Sequence, residues 1–378
     1  MTGRPSEAAV EVVGAGPAGL AAAITLARAG RRVVVHEAQR EVGHRFGADL
    51  QGLENWSTRR DVLEVLREIG ITTAFEHLAC AHGAAFDAWD ARHEIRSAEP
   101  LFYLVERGPG KGSFDSALLE QALGLGVDVR FGSRKTSLEG PGILAVGPKA
   151  ADAIAVGYQF ETGMPDGFWL ILDENVAPQG YSYLLVMRGR GTVKSCMFSG
   201  FKQERLYVER TVERFRRLVG LEMRNPRPHG GVGNFHVPAT ALSGIHPIAG
   251  EQAGFQDAFA GFGMRYAILS GFMSGRALLG AESYDLAWRR ELKPAIETAV
   301  INRAVYSLLG NRGYRSVLRS QAWIGDARGF LRWLYRPAFV RRSLLPWARR
   351  RFRSLRQDTG CDHVDCTCVW CRCGAAPK

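Results

Sequence analysis

Long apolar runs are missing from these 378 residues. No uninterrupted span reaches the roughly 18 residues needed to cross a bilayer, and the apolar stretch 258–281 is broken by Arg265 and Arg276. That excludes a membrane-spanning helix. The start of the chain lacks a secretory pattern, because its apolar run carries Glu7 and Glu11 and has no basic region before it. A cytoplasmic protein is the expectation, with attachment to the inner face of the membrane as the variant. Cysteine is nearly absent from the body: Cys80 and Cys196 stand alone, and the other five crowd into 361–373. Acids are absent from 328–356, which holds ten arginines, while 357–378 sums to −1. Of the net +11, only +2 is left for residues 1–327, so the body is near neutral. No nucleic-acid partner is expected. Internal repeats and long low-complexity linkers are also missing. With 46% hydrophobic and 23% charged residues, the chain is an ordinary globular one. Its length suits about two cores.

What is present begins at Val10-Glu11-Val12-Val13, a short strand, followed by Gly14-Ala15-Gly16-Pro17-Ala18-Gly19. Leu20, Ala23, Ile24 and Ala27 then recur at helical spacing. Gly30 stops that helix, and Val33-Val34-Val35 forms a second buried strand closing at His36-Glu37. Each glycine has a physical task. Gly14 permits the tight turn, Gly16 lets a pyrophosphate approach the backbone, and Gly19 lets the helix pack closely on the strand. The phosphates then sit at the helix N-terminus. Glu37, 18 residues after Gly19, suits a ribose 2′-hydroxyl and repels a phosphate there. The unit reads as a dinucleotide site that uses Gly14, Gly16, Pro17, Ala18, Gly19, Glu37 and Ala38.

Further along, helices are expected over 60–69 and 114–125, and short aromatic strands over 79–106. Four more strands are expected near 154–161, 167–173, 180–188 and 191–199, with an amphipathic helix over 203–218. The segment 244–280 reads as a strand, a glycine-rich loop and a helix from Gly263. Residues after 284 read as helical up to the cysteines.

Which dinucleotide is bound follows from a resemblance. Val42-Gly43-His44-Arg45 after Glu37 resembles the continuation seen in FAD-binding chains. The segment 245–278, IHPIAGEQAGFQDAFAGFGMRYAILSGFMSGRAL, is similar to the second FAD motif of the geranylgeranyl reductase family, flavoproteins of the p-hydroxybenzoate hydroxylase-like fold. The likeness falls on Gly250, Glu251, Ala253, Gly254, Gly261, Gly263, Ala267, Ser270 and Gly271. Arg107, Gly112, Ser113 and Asp115 match a spacer-helix pattern, and Pro178, Tyr181 and Tyr183 match an aromatic element; together these span residues 8–285. The resemblance implies FAD, held also by Arg45, Arg107, Gly250, Glu251, Gly261, Gly263 and Met264. It departs from the family in Glu251, which replaces an aspartate. It departs also in Gly147-Pro148-Lys149 where G-A-D-G is usual, and in Arg45-Phe46-Gly47 where a cysteine motif is usual.

The implied fold is α/β: a Rossmann-like FAD-binding domain (6–78, 108–150 and 237–285) interrupted by a β-rich substrate domain (79–107 and 151–236). A basic, helical C-terminal region (286–356) and a cysteine-rich tail (357–378) follow. Residues 47–56 read as a loop near the flavin ring. His246 is a candidate to approach the flavin or an ordinary loop histidine. No catalytic residue is identified. Phe168, Trp169, Tyr181 and Tyr183 suggest an apolar wall for an isoprenoid- or quinone-like substrate. The activity implied is reduction of C=C bonds by reduced flavin, supplied by NAD(P)H or an electron-donor protein. The alternatives are a flavin monooxygenase on the same fold and a non-catalytic, membrane-attached flavin- or metal-binding protein.

The segment 328–356 interleaves arginines with Phe330, Trp333, Tyr335 and Trp347. It suits either a membrane surface or intramolecular packing on the body. Cys361, Cys366, Cys368, Cys371 and Cys373, with His363 nearby, offer enough soft ligands for zinc or iron. Redox chemistry or an unstructured tail are the other readings.

Overall fold

The computed structural model describes residues 8–148 and 151–351. Valine-rich strands Val10–Val13 and Val33–His36 lie side by side in a four-stranded parallel sheet. Its order is Asp128–Arg130, Val33–His36, Val10–Val13, Gly142–Leu144. A parallel bridge from Leu144 to Ile248 extends it by one position. β-Branched side chains suit strands covered on both faces, and Val10, Val12, Val33 and Val35 are all buried. The carboxyl ends of the two central strands carry Gly14 and Glu37, the place where open parallel sheets bind ligands.

Helix Pro17–Arg28 is sandwiched between this sheet and helix Met264–Leu278. Close approach of the two helices depends on glycine. A Cβ on Gly271 would fall 2.0 Å from the Ala18 carbonyl oxygen, and one on Gly275 would fall 3.0 Å from that of Ala22. The glycine-rich start and the late segment of the chain are thereby locked together.

A seven-stranded sheet forms the second layer. Its order is Arg224–Gly233, Ala153–Glu161, Arg190–Met197, Tyr181–Met187, Gly167–Ile171, His82–Phe86, Arg92–Arg96. All pairings are antiparallel except that of Gly167–Ile171 with His82–Phe86. The strand Arg224–Gly233 was not expected from the sequence, because Pro226 and Pro228 argue against a central strand. It lies at the sheet edge, where a missing N–H is tolerated. Helix Glu204–Val219 covers one face through Val208, Val212 and Phe215. A three-stranded sheet of Asp49–Glu54, Phe102–Arg107 and His77–Cys80 completes the β structure. The loop expected over 47–56 is therefore a strand over most of its length. Its alternation is masked by Asp49 and Gln51, and Gly52 is required because a Cβ there would meet the Phe262 ring at 2.4 Å.

Helices Tyr284–Glu291, Lys293–Ile324, Ala327–Tyr335, Phe339–Arg342 and Leu345–Arg351 follow. The longest is broken at Gly310, whose φ of 56° is left-handed. Tyr306, Tyr314, Leu318, Ala327, Tyr335, Leu345 and Ala348 share one core with Trp56, Phe102 and Phe168. Of the two readings of the basic segment, packing on the body accounts for one side of it. Arg328 is buried, and its Nε donates to the Asn55 carbonyl at 2.6 Å. Among the described residues no helix is long and apolar enough to cross a membrane. Cys361, Cys366, Cys368, Cys371, Cys373 and His363 lie outside the described residues.

Candidate active site

One continuous cleft of about 1130 Å³ runs from the Gly14 turn to the aromatic face of the large sheet. Small-molecule pockets are typically ~300–1,000 Å³, so this one accommodates a long ligand or two in sequence. At one end Gly14 has φ of +103°, and a Cβ there would lie 2.3 Å from the Ala145 carbonyl oxygen. A Cβ on Gly16 would meet nothing within 4 Å, so the space before the turn is open. Gly19 does not line the cleft; a Cβ there would strike the Gly14 carbonyl at 1.9 Å, so its task is helix–strand packing. The helix behind starts at Pro17 with no side-chain cap and no acid in its first turn. Its positive end is left for an anion.

Glu37 closes the second strand. Its carboxylate accepts the Ala15 N–H at 2.8 Å and the Gln39 N–H at 2.9 Å, which fixes it beside the turn. The open cradle, the uncapped helix and the fixed carboxylate fit the phosphates and ribose of a dinucleotide.

Ala38, Arg45, Arg107, Gly250, Glu251, Gly261, Gly263 and Met264 line the same cleft. Residues more than 200 positions apart are thus brought together. Arg45 Nη2 donates to Glu251 at 3.0 Å, and the other Glu251 oxygen accepts from the Asn234 backbone. Arg107 is buried and tied: it pairs with Asp115 through two bonds of 2.8 and 2.9 Å and stacks 4.0 Å from the Phe46 ring. Gly250 donates to Ser270 Oγ at 2.9 Å and, with φ of +66°, turns the chain toward Ala18. His246 does not line the cleft, and its buried Nδ1 has no hydrogen-bond partner.

The other end is apolar. Phe102, Phe168, Leu170, Tyr181, Tyr183 and Phe262 line it. Trp169 does not, because alternate strand residues face opposite sides; it is half-buried against the cluster that contains Val208, Val212 and Phe215.

Between the two ends lies a charged cluster that the sequence did not reveal. Lys194 Nζ donates to Asp49 Oδ2 at 2.7 Å, with both side chains shut off from solvent. Thr192 and Gln51 also donate to Asp49, and His229 Nδ1 stands 3.7 Å from it. His229 Nε2 lies 3.0 Å from the Arg45 carbonyl, so the cluster is continuous with the cofactor end. Burial pushes the Asp49 carboxyl up, but Lys194 and then His229 outweigh it and hold it below the usual range. Burial pushes the Lys194 ammonium down and also lowers His229. The one available signal was a lysine alone inside the buried strand Arg190–Met197.

Residues 7–142 match a family model described as an FAD binding domain. No curated protein matches the chain in sequence. Among solved structures, the chain resembles a geranylgeranyl bacteriochlorophyll reductase-like protein from Thermoplasma acidophilum. The TM-score is 0.68 at 16% identity, over 91% of this chain and 96% of that one. It also resembles a probable FAD-dependent monooxygenase from Pseudomonas aeruginosa (TM-score 0.62, 16% identity, 82% and 99% covered). A third likeness is to p-nitrophenol 4-monooxygenase from Pseudomonas putida (TM-score 0.58, 16% identity, 92% and 99% covered). The fold is the one these proteins share: a parallel-sheet FAD-binding unit combined with a β-rich layer and a helical C-terminal segment.

Proposed function

We propose that this chain is an FAD-dependent oxidoreductase that reduces a C=C bond in a long apolar substrate of isoprenoid or quinone type. One observation carries the reading: a single cleft joins the Gly16 cradle to an aromatic chamber, with a buried proton-bearing pair between them. Reduced FAD supplies the hydride in this chemistry, and NAD(P)H or an electron-donor protein supplies its electrons. Gly14, Gly16, Glu37 and the start of helix Pro17–Arg28 hold the adenosine and phosphate portion. Arg45, Gly250, Glu251 and Gly263 hold the remainder. The residues' own contribution is orientation, exclusion of water and placement of a proton. Lys194 Nζ bears that proton, and Asp49 anchors it at 2.7 Å. Burial readies the ammonium to release the proton, because it lowers its pKa.

A second reading, hydroxylation of an aromatic substrate in the same cleft, draws support from the likeness to two proteins named as monooxygenases. One experiment separates them. The purified full chain is reduced anaerobically and reoxidised with a panel of polyprenyl and quinone acceptors, and in parallel with oxygen in the presence of phenolic substrates. Turnover of an acceptor without oxygen supports the reductase. A hydroxylated product formed only with oxygen supports the monooxygenase. A chain that neither carries nor takes up flavin refutes both.

A further inference from the structure

A second cavity abuts the aromatic chamber. Val317, Leu318 and Gln321 from helix Lys293–Ile324, with Ala327, Phe330 and Leu331 from helix Ala327–Tyr335, form part of its wall. On the outside of the same helix pair runs a groove lined mainly by Leu309, Val317, Ile324, Phe330 and Trp333, with Ser316 and Ser320 among them. Val317 and Phe330 line both spaces, so those two side chains are the partition between chamber and groove.

The groove's surroundings are apolar and open to solvent. Trp323 is 89% exposed, Trp333 59%, Leu308 57% and Ile324 49%. Isolated exposed apolar residues are ordinary, but Ile324 and Trp333 line the groove itself, and exposed apolar side chains at a groove mark a contact surface. Charge indicates which surface. From residue 298 to 351 the chain has twelve arginines and one acid, Asp326, which accepts from Ser97. Arg312, Arg319, Arg332, Arg336 and Arg350 have no carboxylate partner among the described residues. Indole rings beside unpaired arginines match the headgroup layer of a membrane with anionic lipid. A protein partner would have to supply a matching acidic surface.

The chamber side carries its own signal. Gln321 is 7% exposed and lines the cleft, yet neither its amide oxygen nor its amide nitrogen has a hydrogen-bond partner. A buried amide left unpaired costs free energy. A ligand hydroxyl can donate to the amide oxygen or accept from the amide nitrogen, and a ligand carbonyl can accept from the nitrogen.

We infer that this helix pair seats on an anionic membrane surface, and that the partition formed by Val317 and Phe330 is the portal that opens to let a lipid-soluble ligand with one neutral polar group pass from the bilayer into the cleft. The inference rests on the reading of the aromatic end as a substrate chamber. Its docking half is measured without any flavin signal, so the failure of one is distinguishable from the failure of the other.

The test uses the full chain and vesicles of phosphatidylcholine with and without phosphatidylglycerol. Co-sedimentation with the anionic vesicles is expected, weakening as salt rises. The Trp323→Ser/Trp333→Ser variant alters only exposed side chains, so it should keep its melting temperature and bind about tenfold less or weaker still. Portal function is read by uptake of a fluorescent farnesyl alcohol dissolved in the vesicles. Phe330→Ala should accelerate transfer to the protein, and Val317→Phe should slow it. Absence of vesicle binding, unchanged binding by the double variant, or equal uptake by the two portal variants would each overturn the proposal. Binding that appears only when the chain ends at Arg351 would overturn it too, since residues 352–378 would then be the occupant.

Discussion

The Lys194 ammonium meets the Asp49 carboxylate at 2.7 Å in the middle of the cleft wall, and neither side chain reaches solvent. Two strands from different sheets, Asp49–Glu54 and Arg190–Met197, are joined by this pair. Removing one partner leaves the other charged and buried, which costs about 3–5 kcal/mol. Asp49→Asn and Lys194→Met should each lower the melting temperature clearly. The double variant Asp49→Leu/Lys194→Met should recover much of that loss while substrate turnover stays low. Thermal denaturation alongside single-turnover kinetics checks both halves.

Gly14 and Gly16 should respond differently to a side chain. Gly16→Val projects into open space, so the protein should fold normally and purify without flavin colour, with FAD binding weaker by well over about tenfold. Gly14→Ala strains a left-handed turn and strikes the Ala145 carbonyl, so it should lose stability as well as flavin. Absorbance spectra and melting curves of the two variants provide the comparison.

Asp257, in the loop before Gly261, accepts from Tyr335 Oη at 2.5 Å and from the backbone of Phe259 and Ala260. Burial raises its carboxyl to about 6, against the partial relief those donors provide. The folded protein therefore holds a proton that the unfolded chain has released. The stability this group contributes is complete below pH 3.8 and is lost as pH rises through about 6. Asp257→Asn should flatten the change in melting temperature across that window. A parallel profile for the variant and the parent would contradict the assignment.

Arg303 is 1% exposed, lies 4.0 Å from the Phe198 ring centroid and 4.4 Å from that of Tyr306, and leaves Nε and Nη2 without hydrogen bonds. Burial accordingly lowers its pKa. A cation held this way gains from the rings but loses its hydration. Arg303→Met, of similar volume, should fold at least as stably as the parent. Calorimetric melting is the check, and a clear loss of stability would refute it.

Truncation after Ala327 should not yield a soluble body. Arg328, Tyr335, Leu345 and Ala348 are buried, and removing Arg328 alone strands the buried Asn55 carbonyl that its guanidinium satisfies. An abandoned buried acceptor costs about 1–3 kcal/mol. Aggregation of the truncated chain, followed by light scattering on gentle heating, is the expected result.

The sequence made local features legible and hid those that depend on pairing at a distance. Gly14, Gly16 and Glu37 could be placed because the strand–helix–strand unit is assembled from neighbours in the chain. Strands 153–161, 167–171, 181–187 and 190–197 stood out through their β-branched and aromatic residues. Arg224–Gly233 did not, since its prolines and glycines are the residues of a turn until an edge partner is known. Lys194 and His229 looked ordinary because their meaning comes from Asp49, which lies 145 residues from Lys194. Arg107 and Asp115 were both picked out by one motif, while the bidentate ion pair between them emerged only from the fold.

The contact between Gly271 and Ala18 has a consequence for how the protein is made. These two residues are separated by most of the chain, and the helix that carries Gly271 closes over the Ala18 turn from the far side. A nascent chain emerging from the ribosome exposes Gly14–Gly19 early but has nothing to lay across it until residues near 278 have been synthesised. Contacts of such sequence separation form slowly. During that interval the apolar helix Pro17–Arg28 is uncovered on one side, so synthesis at limiting flavin should leave a protease-sensitive early fragment, and chaperone engagement should fall once Met264–Leu278 has emerged.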